Sequence, residues 1–121
     1  MATENLGKLI SFKAGADLSA KQFYPVKLTG DNTIDVAGDT DVIIGILQDA
    51  GVVAGAAAKV CVNGISKFAS NDTLVAGNVI MPGTSGAVTA TTGKSVIGIV
   101  TESASANEIG SVLLASAGVK V

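Results

Sequence analysis

A shift of 53 residues lays the first half of this sequence on the second: Ile43-Ile44-Gly45-Ile46-Leu47 falls on Val96-Ile97-Gly98-Ile99-Val100, and Asp49 on Glu102. The same shift matches Val26 with Val79, Gly30 with Gly83 and Ala37 with Ala90. After one deletion, Val60-Cys61-Val62 falls on Val112-Leu113-Leu114. Repeated units of this length bury their apolar faces against each other rather than alone. The expectation is a single β domain over 13–121 containing half-repeats 25–66 and 78–115, preceded by a flexible N-terminal arm, 1–12.

The residue types say what kind of unit repeats. Val, Ile and Thr supply 35 of the 121 residues and Gly 15, whereas aromatics are 3% and Trp is absent. β-branched side chains suit a pleated surface, and Gly permits the tight turns between short strands. Strands are expected over 24–28, with Pro25 at the first position or on an edge, and over 32–36, 42–47, 59–62, 64–68, 79–81, 87–91, 96–101 and 111–114. Pro82-Gly83 reads as a turn that ends one of them, and the Ala-rich stretch 50–58 as a loop. Turn signals about every 8–12 residues point to an all-β fold, a compact β-barrel or β-sandwich. Gly45 and Gly98 lie inside apolar strands, where glycine is tolerated for a bulge, a bend or a close backbone approach; both are read as structural. A core of Val, Ile and Ala with few rings leaves apolar surface for oligomerisation to bury.

Several chemistries are excluded by residue type. There is no His, so Ser-His-Asp and Cys-His arrangements and most zinc sites are absent. There is no Arg, the eight Lys are scattered and the net charge is -2, so no basic stripe for nucleic acid exists. No apolar run reaches the roughly 20 residues of a membrane span. The first residues have neither the basic nor the apolar region of a secretory signal. Cys61, between Val60 and Val62, reads as a buried inert thiol. Asp31, Asp35, Asp39 and Asp41 have the rhythm of a calcium loop, but Thr33, Val36 and Val42 occupy positions 3, 6 and 12, so they read as a solvated turn. Gly83-Thr84-Ser85-Gly86 and Thr92-Gly93-Lys94-Ser95 read as hairpin turns; Val88 stands where a phosphate loop of the latter kind needs glycine. No enzyme activity, cofactor or metal is expected.

In order along the chain, Val42-Ile43-Ile44-Gly45-Ile46-Leu47-Gln48-Asp49-Ala50, then Val60-Cys61-Val62-Asn63-Gly64-Ile65, then Asp72-Thr73-Leu74-Val75-Ala76-Gly77-Asn78-Val79, then Thr92 to Val100 and Gly110-Ser111-Val112-Leu113-Leu114 resemble the tailed-bacteriophage capsid cement, or head decoration, protein family. The resemblance covers about residues 25–115. It implies a small β protein made in the host cytoplasm that assembles as a homo-oligomer, a trimer more than a dimer. It would sit on the outer surface of the virion and bridge subunits of the major capsid protein, with no nucleic acid or membrane as partner. The apolar residues Leu6, Leu9, Ile10 and Phe12 are the candidate capsid contacts, as anchors of an arm that adds a strand to a capsid edge; the bland alternative makes them a first core strand. The rival function is a carbohydrate- or surface-binding β module of a phage head fibre, which needs an exposed platform of rings, and the chain has only Phe12, Phe23, Tyr24 and Phe68. A small hydrolase is a third reading, disfavoured by the missing His.

Overall fold

A computed structural model describes residues 4–83, 85–91, 93–116, 118 and 119. Its elements are all strands: β1 Asn5–Leu6, β2 Leu9–Ala14, β3 Pro25–Gly30, β4 Thr33–Val36, β5 Gly45–Leu47, β6 Ala57–Cys61, β7 Gly64–Ala69, β8 Val79–Gly83, β9 Gly86–Thr89, β10 Gly98–Glu102 and β11 Ile109–Leu114. The all-β expectation holds, in the form of barrels.

The first barrel is closed in the order β2-β4-β3-β5-β6, with β2 and β4 parallel and every other neighbour antiparallel. The second sheet runs β1-β7-β11-β10-β8-β9. A parallel bridge from Ser70 to Ala87 joins the end of β7 to β9, so β7-β9-β8-β10-β11 repeats the first order strand for strand. The repeat extends to single bonds. Leu18 bridges Val52 where Leu74 bridges Ala104. Gly15 N–H donates to Ile34 O at 2.8 Å where Asn71 N–H donates to Ala87 O at 2.9 Å. Val26 faces Gly45, and Ile80 faces Gly98.

These pairings revise the repeat in two ways. The half-repeats begin upstream of residues 25 and 78, at β2 and β7, which open the two barrels. Their offset is 56 residues, Ala14 to Ser70, and their sequences share little beyond Phe12 and Phe68. The counterpart of Val26 is Ile80, not Val79, an offset of 54. A bulge between Leu28 and Gly30 supplies one extra residue, after which Gly30 matches Gly83 and the offset is 53.

Other boundaries also move. The domain boundary at residue 12 falls inside β2, which closes the first barrel against β6 over Leu9 to Lys13. Only Gly45–Leu47 of the expected strand 42–47 is paired. β8 runs through Pro82 to Gly83 while β10 pairs only with Val79 and Ile80; beyond them β8 has a free flank among the described strands, where a residue without an N–H is tolerated.

Each barrel has its own core. Ala14, Leu18, Val26, Ile34, Leu47, Val52, Ala58 and Val60 fill the first. Phe68, Leu74, Ile80, Ala87, Val100, Ala104 and Val112 fill the second, joined by Ala37, Ile43 and Ile46 from the first half. Ile46 and Leu47 are adjacent on β5 and point to opposite faces, so Leu47 packs inside its own barrel while Ile46 enters the neighbouring core.

Candidate functional surface

The contact between the barrels is built from the outer side of one and one end of the other. On the first barrel, Pro25, Ile46 and Cys61 stand in a row across β3, β5 and β6, each paired with the next. Ile46 and Cys61 are 0% exposed, and Pro25 is also fully buried. Ile46 packs in one cluster with Phe68 and Ile97, with Leu114 against it; together with Ser66 these form one end of the second barrel, and Ser66, Phe68 and Ile97 are buried. Polar bonds register the contact. Gln48 Nε2 donates to Ser66 Oγ at 2.9 Å, Ala69 N–H to Phe23 O at 3.0 Å, and Ile43 N–H to Ser95 Oγ at 3.3 Å.

The matching row on the second barrel is Val79, Ile99 and Leu113 across β8, β10 and β11, and it faces outward. Val79 is 38% exposed, Ile99 48% and Leu113 48%. The matching end of the first barrel is formed by Ile10, Phe12, Ile44 and Val62; Ile10 is 36% exposed, and the other three are half-buried. Contiguous exposed apolar surface of this kind marks interaction sites. No sequence pattern separates the two rows, because both are apolar; only the tertiary arrangement shows which is covered.

Two of the four candidate capsid contacts, Leu9 and Ile10, are exposed, and Leu6 and Phe12 are half-buried. Leu6 lies in β1, which pairs with Gly64 and Ile65 of β7, and the other three lie in β2. β2 is thus a strand of the first barrel, but Leu9 and Ile10 are exposed on it and belong to neither core. One flank of β2 is bonded to β6, while β4 pairs only with Lys13 and Ala14. Leu9–Phe12 thus keep a free flank among the described strands, and a free strand edge is a template for β-augmentation.

Gly45 and Gly98 do the same work in the two barrels. A Cβ at Gly45 would collide with Cys61 O, and one at Gly98 with Leu113 O, so each glycine admits the neighbouring strand's backbone. Cys61 is fully buried, and its Sγ donates to Asn63 O at 3.0 Å. Burial pushes its thiol pKa up, which favours the unreactive protonated form.

The four aspartates do not converge. Asp41 accepts from Gly38 N–H at 2.7 Å and pairs with Lys27 at 3.0 Å; those two contacts, the backbone bond foremost, hold its carboxyl below the usual range. Asp35 accepts from Val36 N–H at 2.7 Å, while Asp31 and Asp39 are exposed. Among the described residues no group of three or more His, Cys, Asp or Glu is placed to hold a metal ion. Thr84 and Thr92, in the two glycine-rich stretches, lie outside the described residues. A shallow cleft beside Phe12 and Lys13 is lined by Ser11, Asp31, Asn32, Gly55 and Ala57, with Asp31 as its one acid.

No protein-family model matches the chain, and no curated protein matches it. Among solved structures, its fold is similar to that of the head fibre gp8.5 N base of bacteriophage phi29, with a TM-score of 0.70 at 14% identity over 94% of this chain and 98% of that one. At that identity the likeness is one of fold, and its extent takes in both barrels.

Proposed function

We propose that this chain is a non-enzymatic structural protein of a tailed-phage head, seated on the outer surface of the shell, where it bridges neighbouring major capsid subunits as a homo-oligomer, a trimer in the simplest case. The observation that carries this reading is the match of the whole two-barrel architecture to the base of a phage head fibre. The order of motifs that resembles capsid cement proteins points the same way and does not rest on the fold. A protein that binds only the assembled shell stabilises it by mass action, and several weak contacts made by one oligomer raise avidity steeply. The open edge at Leu9–Phe12 and the exposed apolar residues near it supply a surface for such contacts.

The carbohydrate-binding alternative finds less support. Phe68 is fully buried, and Phe12, Phe23 and Tyr24 are each half-buried. Lys67 lies 5.7 Å from the Phe23 ring centroid and Lys21 4.9 Å from that of Tyr24, so the rings do not form an open platform for a sugar. The test is calorimetry of heads built from the cognate major capsid protein. Adding the purified protein should raise their melting temperature by several degrees and saturate. Unchanged melting at a large excess sinks the cementing role.

A further inference from the structure

The contact that joins the two barrels leaves an unused copy of each of its halves on the molecule. Inside the chain, Ile46, the centre of the buried row Pro25, Ile46, Cys61, packs with Phe68, Ile97 and Leu114 at the end of the second barrel, and Gln48 bonds Ser66 there. The equivalent row, Val79, Ile99, Leu113, and the equivalent end, Ile10, Phe12, Ile44, Val62, are both uncovered. We infer that a second copy of this chain docks head to tail, with the Val79–Ile99–Leu113 row of one copy seated on the Ile10 end of the first barrel of the next.

The two surfaces are the strand-for-strand counterparts of two that already meet inside each chain. They also differ from the internal pair in the direction that suits them to each other. The inner contact uses a hydrogen bond from Gln48 to Ser66. The equivalent positions outside are Thr101 and Ile10, and Leu113 stands where the internal row has Cys61. The outer version thus loses the side-chain hydrogen bond and gains apolar surface at Ile10 and Leu113, so burial supplies its driving force. Such an interface is heterologous: each copy offers a different patch on each side, and the assembly closes as a ring when the rotation between copies permits.

This inference stands apart from head binding, since it concerns the protein alone in solution. The first measurement is sedimentation equilibrium of the full chain, where a mass at least twice that of one chain is expected in the tens of micromolar; a monomer there overturns the inference. The second is cross-linking with a short bis-maleimide. A Thr101→Cys variant is mixed with an Ile10→Cys variant, each first shown to keep the wild-type circular dichroism and mass. Both positions are exposed, and the native Cys61 is buried, so the new thiols react first. Covalent dimers containing one copy of each variant are expected, with several-fold fewer from either variant alone. Dimers formed as readily by Thr101→Cys alone mean a two-fold pair of identical patches and overturn the head-to-tail arrangement, as does an oligomer that gives no mixed dimer. As a further check, Ile99→Ser with Leu113→Ser should yield a folded monomer; a folded variant that keeps the wild-type mass contradicts the assignment of the row. A monomer that still cements heads would sink this inference and the homo-oligomer, and leave the cementing of heads intact.

Discussion

The two barrels share a strand order and a bonding pattern, yet they are buried very differently. Phe68 is fully enclosed in the second, whereas its counterpart Phe12 is half-buried at the end of the first. Ile46 is sealed between the barrels, while its counterpart Ile99 faces solvent. One backbone plan therefore serves two purposes: where its outer row and open end meet, they make a core, and where they are left over, they make a surface. Burial in a tandem repeat is set by which neighbour is present, so the end units keep exposed the faces that an adjoining unit would cover.

The largest expected effect breaks the equivalence at the phenylalanines. Phe68→Ala should cost about 3–5 kcal/mol of unfolding free energy, the usual range for a buried ring. Phe12→Ala should cost about 1–2 kcal/mol, since part of that ring is already in water. Equal losses in urea denaturation would mean that the ends of the two barrels are equally covered. Next come the isoleucines. Ile46→Ala should cost about 2–4 kcal/mol by the same cavity argument. Ile99→Ala in a dilute, monomeric sample should fall within about 0.5 kcal/mol of wild type.

The glycines sharpen the likeness rather than the contrast. Gly45→Ala and Gly98→Ala each drive a Cβ into a neighbouring carbonyl, and each should lose about 1–3 kcal/mol or more. If only one of the pair were sensitive, the two strand approaches would not be equivalent. The smallest effect belongs to a pair found in one barrel only. Lys27 and Asp41 form an ion pair in the first barrel; Met81 and Lys94 stand at the matching positions in the second. Because the folded-state pKa of Asp41 is depressed, its contribution is present above the unfolded carboxylate value and is lost as pH falls through the folded one. Asp41→Asn, which keeps the Gly38 bond, should cost no more than about 0.5 kcal/mol at neutral pH, with the difference from wild type shrinking to nothing in acid.

Much of this plan was legible in the sequence, and the reason is physical. Gly45 and Gly98 could be matched because a close strand approach tolerates only glycine, and the apolar runs around them fill equivalent places. β2 and β7 could not, since barrel position constrains size and polarity only loosely. Ala14 fills its site in the first barrel, whereas Ser70 fills the matching site in the second by donating its hydroxyl to Asp72 O. The short bulge near Gly30 hid the true partner of Val26 by one residue. The candidate contacts stand out in the sequence as an apolar patch, but a strand inside a barrel and a strand on an arm have the same local pattern. Pairing 50 or more residues away, Leu9 with Cys61 and Ile10 with Val60, makes β2 a barrel strand, and local periodicity carries no record of it.

The measurement that bears most directly on the central claim is a count of copies bound per head. Heads lacking the protein are titrated with it, pelleted, and the ratio to major capsid protein is read by quantitative mass spectrometry. The account predicts saturation at a fixed small-integer ratio that further protein does not raise. Protein that stays in the supernatant, or adsorption that climbs without saturating, would contradict it.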